Sequence, residues 1–264
     1  MRFAHLSDLH FGHLTCKDHL QGLTDDLCAQ SLQLLVITGD ITDRGRISQF
    51  RRARRFLDSL SLPFISVPGN REIAVSAAWE WLVPRFAMRR YRKFFGPSDR
   101  IVHYCHDEKL VFFGLNSVHF FPSWPGTIDR QTRYWLKAEA SKLPLYTKIL
   151  FLHHPVIPVI RGSSFWAHTL SDAGEILNIA TQTGIYLILQ GHKHRASVVE
   201  VYVPEREARV VISAGGAPLV NRWDATYHVI EINGTKLTVT PREFRKNGFH
   251  ATGNYHFAIG HPGS

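Results

Sequence analysis

Short apolar runs that alternate with longer amphipathic stretches constrain the fold of this chain more than any other feature. Runs such as LLVIT, KILFL and YLILQ are apolar at consecutive positions, as expected for central strands covered on both faces. The alternation predicts an α/β fold. The predicted strands are residues 2–6, 34–38, 64–67, 111–116, 148–152 and 186–189. The predicted helices are residues 18–31, 47–60, 74–95, 130–142 and 172–183.

The pattern changes after Gly191. From there, apolar segments predict consecutive antiparallel strands, and the pair Asn233-Gly234 is typical of a tight turn between two of them. These strands are predicted at residues 197–203, 208–213, 227–232 and 236–241. No internal repeat or linker is visible, so residues 1–243 are predicted to form a single domain with an insertion at about 74–96. Residues 244–264 are predicted to form a C-terminal tail.

Composition and charge narrow the class of protein. The net charge of +9 and the isoelectric point near 9.7 favour contact with polyanions or anionic membranes. The start MRFAHLSDLH is too polar for a secretory signal, and no apolar stretch is long enough for a membrane helix. Three cysteines without a CxxC pair predict reduced thiols. We therefore expect a cytoplasmic protein, with peripheral contact to the inner face of the membrane as an open alternative. No nucleic-acid recognition module is visible.

Clusters of polar residues follow five of the predicted strands. They are Asp8-Leu9-His10, Gly39-Asp40, Gly69-Asn70-Arg71-Glu72, His153-His154-Pro155 and Gly191-His192-Lys193-His194. Loops at the carboxyl ends of parallel strands share one edge of a sheet, where ligands bind. Each cluster alone is typical of an ordinary turn or helix cap. Together they supply carboxylate, amide and imidazole groups suited to Mn, Fe or Zn, which predicts a shared metal site.

The ordered pattern DxH, GD, GN, HHP and GHxH resembles the calcineurin-like metallophosphoesterase superfamily. Within it, the HHP form of the fourth motif is most similar to the bacterial class III phosphodiesterases of the cyclic-nucleotide type. The segments FFGLNS and RQTRYWL are part of the same resemblance. The resemblance implies a four-layer α/β/β/α sandwich, in which two mixed sheets lie face to face with helices outside.

The resemblance also implies two divalent metal ions and their ligands. One ion would be bound by Asp8, His10, Asp40 and His194. The other would be bound by Asp40, Asn70, His153 and His192, with Asp40 bridging the pair. A hydroxide between two such ions can attack phosphorus in line, with Asp40, Asn70, Arg71 and His153 as the catalytic set. His154 is expected to pack behind the ligands and not to bind metal.

Arg71 departs from the pattern, because most members of the family have His at this position. A guanidinium cannot give a proton to a leaving alkoxide, but it can bind a phosphate with two hydrogen bonds. Either Arg71 favours leaving groups that need no proton, as in a nucleotide pyrophosphate, or it only replaces His as a phosphate contact. The Gly-Asn-Arg-acidic form resembles the UDP-2,3-diacylglucosamine hydrolases of lipid A synthesis, whose fourth motif differs from HHP.

Segments rich in aromatic and basic residues are expected to surround the mouth of the site. They span residues 79–95, 119–124 and 161–168. In the first, Arg85, Arg89 and Arg92 lie at helical spacing, although Pro84 interrupts the pattern. Such a cap could bind a phosphate flanked by a nucleobase or lipid, or dock on an anionic membrane. The alternative is a helix that packs its aromatic side chains on the sheet and leaves its arginines in water.

These observations favour a metal-dependent phosphohydrolase that cleaves a phosphodiester or a nucleotide pyrophosphate. The expected substrate is a phosphate-containing small molecule or a lipid-linked nucleotide. The alternative from another class is a scaffold or binding protein that keeps the fold without catalysis. Every expected ligand position is filled, which favours the enzyme, and Arg71 is the one residue that leaves the alternative open.

Overall fold

Two β-sheets pack face to face and carry helices on their outer faces. The computed structural model describes residues 1–13, 15–73, 88–118, 125–158, 169–221 and 223–259. Within these residues the helices are α1 (Lys17–Ala29), α2 (Ile47–Ser59), α3 (Arg89–Phe95), α4 (Arg130–Ser141) and α5 (Ala173–Thr183). No described helix combines the length and the apolar character that a bilayer crossing requires.

The first sheet has seven strands, and the strands predicted at residues 2–6, 34–38 and 64–67 lie next to one another in it. Across the sheet these strands are β12 (Gly248–Ala251), β11 (Lys236–Arg245), β10 (Thr226–Asn233), β1 (Arg2–Leu6), β2 (Leu34–Thr38) and β3 (Phe64–Val67), with β13 (Tyr255–Ala258) also paired to β11. Strands β1, β2 and β3 are parallel to one another, whereas β10 is antiparallel to β1. The sheet is therefore mixed.

The second sheet has six strands. They are, in order across the sheet, β4 (Arg100–Cys105), β5 (Leu110–Leu115), β6 (Thr147–Phe151), β7 (Ile185–Gln190), β9 (Ala208–Ala214) and β8 (Ser197–Val203). Strands β5, β6, β7 and β9 are parallel, and the edge strands β4 and β8 are antiparallel to their neighbours. The carboxyl ends of the parallel strands therefore share one edge in this sheet as in the first.

Three apolar layers hold these elements together, and neighbouring residues of one strand contribute to different layers. Ala4 on β1 packs toward α1 and α2, while the preceding Phe3 faces the second sheet and contacts Phe112 on β5 edge to face. Val111, the neighbour of Phe112, packs toward α4 and α5 on the outer side. This alternation follows from the two-residue period of a strand. It confirms the predicted α/β/β/α sandwich of two mixed sheets flanked by helices.

The predicted strands up to residue 232 agree with the structure within two residues at each end, and the differences lie at the edges of the sheets. Strand β4 was not predicted, because its half-exposed sequence RIVHYC lacks a continuous apolar run. The predicted strand 236–241 extends to Arg245. Pro241 does not end the strand, because it lies between the part of β11 that pairs with β13 and the part that pairs with β12.

Two predicted segments are only partly described. The region 244–264 was predicted as a tail, and its described residues 244–259 contain the end of β11 and the two short strands β12 and β13 of the first sheet. The predicted helix 74–95 is described only at its end, where α3 lies, and residues 74–87 are outside the described residues. In α3, Tyr91 is buried and its hydroxyl lies 2.6 Å from Ser66 Oγ on β3.

A nearly buried ion pair joins α1 to the far strands of the first sheet. Asp26 on α1 accepts hydrogen bonds from the Tyr227 hydroxyl and from two nitrogens of the Arg242 guanidinium. The side chains of Arg242 and Asp26 are 15% and 11% exposed. We expect Asp26→Ala to lower the free energy of unfolding by about 3 kcal/mol, because it leaves a buried guanidinium without its partner.

Chemical denaturation monitored by circular dichroism measures this effect. The matched control is Asp58→Ala, which removes the ion pair with Arg54 on α2, where the side chains are 52% and 43% exposed. We expect the control to change the free energy of unfolding by less than about 0.5 kcal/mol. Equal effects of the two substitutions would contradict a structural role of the buried pair.

Candidate metal centre

The backbone at the predicted ligands adopts a conformation that side chains other than glycine rarely take. Ten non-glycine residues of the described chain have positive φ angles, and five of them are predicted ligands: Asp8 (51°), His10 (47°), Asp40 (49°), His192 (74°) and His194 (53°). Such a conformation costs on the order of 1 kcal/mol or more per residue and persists only where the surrounding structure imposes it. Its recurrence at ends of strands from both sheets indicates that the fold holds these side chains in place for a function.

The first group of predicted ligands meets at one point. One atom from each of Asp8, His10, Asp40 and His194 lies within 4.8 Å of the others. His194 Nε2 is 2.9 Å from His10 Nε2 and 3.2 Å from Asp8 Oδ1. His10 Nε2 is 3.9 Å from Asp40 Oδ2. Nitrogen and carboxylate oxygen atoms at these separations form a cation site that loops from both sheets build together.

The second group lies on the other side of Asp40. Asn70 Oδ1 is 3.1 Å from His153 Nε2 and 3.1 Å from His192 Nδ1, and the two ring nitrogens are 3.2 Å apart. His153 Nε2 is also 3.5 Å from Asp40 Oδ1. The two carboxylate oxygens of Asp40 therefore face different groups. This is the arrangement that a bridging ligand between two cations requires.

The hydrogen bonds of His153 determine which of its ring nitrogens faces the group. His153 Nδ1 lies 2.7 Å from the carbonyl oxygen of Thr38 and must donate to it. The neutral ring then carries a lone pair on Nε2, which points at Asn70 Oδ1 and His192 Nδ1. Asn70 Oδ1 is also an acceptor, so these two atoms have no hydrogen to share at 3.1 Å and repel each other unless a cation lies between them. The backbone carbonyl thus holds the imidazole in the orientation that a metal ligand requires.

Burial explains the protonation states that suit metal binding. It lowers the pKa of His10 to about 3 and the pKa of His192 well below the ordinary value, so both imidazoles are neutral. Burial and then the negative charge of Asp8 raise the pKa of Asp40 to about 7. In addition, Asp8 Oδ1 is buried and accepts no hydrogen bond from the described residues. A divalent cation would pair with both carboxylates and with this oxygen, so the residues present fit the predicted metals.

The second carboxylate oxygen of Asp8 is already occupied. Asp8 Oδ2 accepts hydrogen bonds from Ser7 Oγ at 2.5 Å and from the backbone N–H of His192 at 2.9 Å. These bonds fix the rotation of the carboxylate and leave Oδ1 facing His194. A residue of the first sheet is thereby tied to the last ligand loop of the second sheet.

Glycines at the second and third clusters allow the loops to approach each other. A Cβ atom on Gly69 would lie 2.3 Å from both the backbone nitrogen and Oδ1 of Asp40. A Cβ atom on Gly39, where φ is 84°, would lie 2.6 Å from the nitrogen of Gly69. Either contact would push the loops apart. The glycines that mark these motifs in the sequence are therefore required by the position of Asp40.

Glu72 was part of the third cluster, but its role was not predicted. Its side chain is fully buried and accepts hydrogen bonds from the backbone N–H groups of Gly69 at 2.7 Å and Thr42 at 2.8 Å. Burial and then the charge of Asp40 raise its pKa to about 8. Glu72 thus ties the loop after β3 to the loop after β2. Its sequence signal is its position three residues after Gly69, where a carboxylate reaches back to the turn.

Arg71 contributes to the centre through its backbone. Its N–H donates to Asp40 Oδ1 at 2.8 Å, and its side chain is exposed. This role of the backbone is not predictable from the sequence, because the path of the backbone cannot be derived from residue type. The bond orients Asp40, while the exposed guanidinium is accessible to a ligand.

Two aromatic rings lie directly behind the ligands. His154 Nδ1 is 3.0 Å from Ser117 Oγ, and its ring packs against His192 at a centroid distance of 4.7 Å, which supports the packing role expected of it. Trp223 stacks on His194 with centroids 3.7 Å apart and planes at 22°. Trp223 was missed because it lies between β9 and β10, far along the chain from any of the motifs.

The predicted cap is only partly visible. Residues 74–87, 119–124 and 161–168 lie outside the described residues. In the part that is described, Phe94 of α3 stacks on Phe50 of α2 at 5.6 Å, and Phe95 is buried. These aromatic side chains pack against the core, as in the alternative of a helix packed on the sheet.

Similar proteins of known name match between 62% and 76% of the chain. A probable glycerophosphodiester phosphodiesterase GpdQ of Arcobacter nitrofigilis is 25% identical over 72% of this chain and 65% of its own length. The GpdQ of Enterobacter lignolyticus is 27% identical over 76% of this chain and 73% of its own. A 3',5'-cyclic-nucleotide phosphodiesterase of Nostoc sp. is 26% identical over 62% and 56%. The chain thus spans only about two thirds of the length of these relatives.

Solved structures share the fold at much lower sequence identity. A dimetal phosphatase from Danio rerio superposes with a TM-score of 0.70 at 12% identity, covering 98% of this chain and 99% of that one. GAP50, described as the anchor in the inner membrane complex of Plasmodium, superposes with a TM-score of 0.66 at 15% identity, covering 98% and 89%. At these identities the likeness shows the fold alone.

The centre predicts a specific loss of metal on substitution of Asp40. We expect Asp40→Ala to weaken metal binding at least about a hundredfold, because it removes a ligand that faces both groups. Inductively coupled plasma mass spectrometry after dialysis against dilute Mn, Fe or Zn measures the ions that remain. The control is Asp43→Ala in the same motif, whose buried carboxylate pairs with Arg44 outside the centre. Equal metal content in both variants would contradict the bridging position.

The match to one protein family spans all five clusters of the predicted site. The family described as calcineurin-like phosphoesterase matches residues 1–196, which extend from the first strand to just beyond the last ligand, His194. The fold and the juxtaposition of ligands agree with this match, and the family resemblance stated from the motifs is confirmed. The chain belongs to the calcineurin-like phosphoesterase family.

Proposed function

We propose that this protein is a binuclear, metal-dependent phosphodiesterase that acts on small phosphodiesters. The observation that carries the proposal is the position of Asp40. One of its oxygens faces His153 and the other faces His10. A carboxylate placed between two groups of candidate ligands is suited to hold two cations a few ångströms apart, and such pairs catalyse in-line displacement at phosphorus.

The residues of the chain have distinct roles in this proposal. Two bound cations would supply charge neutralisation at the phosphoryl oxygens and a nucleophile of lowered pKa. Asp40 and Asn70 would supply oxygen ligands to the cations. The carbonyl of Thr38 keeps His153 in the tautomer that can bind metal. The exposed guanidinium of Arg71 stays protonated and can bind a non-bridging phosphate oxygen. Arg71 therefore positions substrate and does not transfer protons.

The names of the relatives favour diesters among the predicted substrates. The relatives described above are named for glycerophosphodiesters and cyclic nucleotides. These names give no support to an activity like that of the UDP-2,3-diacylglucosamine hydrolases. A nucleotide pyrophosphate and a lipid-linked nucleotide are nevertheless substrates to test. We infer that the phosphate of the substrate is esterified to two organic groups. Residues around the mouth of the centre then determine which diesters bind.

The scaffold alternative finds less support than the enzyme. A protein that keeps this fold without catalysis has no need to hold imidazole, amide and carboxylate groups with their lone pairs directed at one another. Here the lone pairs of His153 Nε2 and Asn70 Oδ1 approach each other at 3.1 Å.

Membrane contact is not part of the proposal. The expectation depended on the basic amphipathic segment 79–95, of which residues 79–87 lie outside the described residues. The described α3 turns Tyr91 and Phe95 into the core, so these rings are not available to insert into a bilayer.

Activity on an aryl phosphodiester tests the proposal. We expect protein loaded with Mn, Fe or Zn to hydrolyse bis(4-nitrophenyl) phosphate, and Asp40→Asn to lower kcat at least about a hundredfold through loss of metal binding. Asp58→Asn on the surface of α2 is the control and should retain full activity. Protein that contains two metal ions per chain and hydrolyses no aryl diester, cyclic nucleotide or glycerophosphodiester would contradict the proposed function.

Arg71→His tests the role of the guanidinium. An imidazole can donate a proton to a leaving alkoxide and a guanidinium cannot. We expect the variant to shift the ratio of kcat/KM values toward glycerophosphodiesters and away from a nucleotide diphosphate sugar by about tenfold or more. Arg51→His on the exposed face of α2 controls for the change of charge. An unchanged ratio would leave Arg71 as a phosphate contact with no effect on leaving-group preference.

A further inference from the structure

A second cavity lies at the opposite ends of the strands that carry the metal ligands. Its volume is about 590 Å³, within the range of small-molecule sites. It is bordered by the ends of α4 and α5 and by the amino ends of β6, β7 and β9. The apolar part of its lining includes Ala140, Pro144, Ala180, Ile185 and Ile259.

Lys148 is the unusual residue of this cavity. It is the second residue of β6 and only 3% exposed, and it lines the cavity. No residue of the described chain forms a hydrogen bond or an ion pair with its ammonium group. Burial lowers its pKa. Because the residue is almost covered and has no protein partner among the described residues, its ammonium group is available to an anion that enters the cavity.

The other cationic side chains of the lining already have partners. Arg209 forms an ion pair with Glu200 at 3.0 Å and lies over the ring of Tyr202. Arg206 donates to Thr181 Oγ1 at 2.5 Å. Glu207 also lines the cavity, so the charges of Arg206 and Arg209 are offset by those of Glu207 and Glu200. Lys148 is therefore the one cation in the described lining that is left for a ligand.

We propose that this cavity binds a small amphipathic anion, whose single anionic group pairs with Lys148 and whose apolar body fills the cavity. The cationic group selects a carboxylate or a phosphate monoester, because a neutral ligand would leave the ammonium without a counter-charge. The apolar part of the lining, which includes Ala140, Pro144, Ala180, Ile185 and Ile259, accommodates an alkyl or aryl body. The site goes beyond the proposed phosphodiesterase activity and does not depend on it.

The cavity is separate from the metal centre. Lys148 and His153 are five residues apart along β6 and its extension, which corresponds to roughly 16 Å at the rise of a strand. A ligand bound at Lys148 therefore does not touch the metal ligands. It contacts the same two strands, β6 and β7, that lead to His153 and His192.

Calorimetric titration with decanoate, decyl phosphate and decanol tests the proposal. We expect at least one of the two anions to bind wild-type protein at least about tenfold more tightly than decanol, because it adds a charge-assisted pair. In Lys148→Met, which keeps the length of the side chain, the affinity for the anion should fall to that of decanol. The affinity for decanol itself should not fall.

Two controls separate a binding role of Lys148 from a structural one. Lys137→Met removes an exposed lysine of α4 and the same net charge, and it should bind the anions as wild type does. Thermal unfolding of Lys148→Met should occur at the same temperature or higher, because the variant no longer buries an unpaired charge. Equal binding of anions and decanol to wild type, or unchanged anion affinity in Lys148→Met, would overturn the proposal. Since the readout is binding, its failure is distinct from failure of the catalytic assay.

Discussion

The carboxylate of Asp40 is the constraint on which the rest of the site depends. It is held by the backbone N–H of Arg71, lies in a loop that Glu72 joins to its neighbour, and faces a histidine on either side. A buried carboxylate beside Asp8 is unfavourable, which is why burial and that second charge raise its pKa to about 7. Two cations remove this cost. The strain in the loops, the close approach at Gly69 and the fully buried Glu72 all serve to keep one carboxylate between two groups of ligands.

The face-to-face packing of two sheets makes this arrangement possible. Asp8 and Asp40 come from the first sheet, and His153 and His192 come from the second. Hydrogen bonds such as that from the His192 N–H to Asp8 Oδ2 cross the boundary between them. Because each sheet is held by its own apolar contacts with helices and by the layer shared between the sheets, the loops meet in a fixed geometry. The same two central strands of the second sheet carry the metal ligands at one end and the cavity of Lys148 at the other.

Most of the fold and the juxtaposition of the candidate ligands could be predicted from the sequence, for identifiable physical reasons. Continuous apolar runs mark central strands, and the residues that follow these strands must share an edge. This reasoning brought His153 and Asp40 to one site. The edge strands were harder to predict, because a half-exposed segment such as β4 carries no continuous apolar run. The supporting residues were harder still. Glu72 acts on backbone groups, and Trp223 stacks on His194 from a loop that no motif marks.

The sequence by itself determined the fold class, the family and the identity of the candidate ligands, because residue types in a fixed order carry that information. Only the tertiary structure decided how each group is used. In the folded chain, His153 donates its Nδ1–H to the carbonyl oxygen of Thr38, so its Nε2 lone pair points into the centre. Arg71 contributes to the centre through its backbone N–H. The tertiary structure also buried Lys148 beside a cavity, where no described residue forms an ion pair with its ammonium group. These properties depend on the distances and directions between residues far apart along the chain, and such geometry exists only once the two sheets have packed together.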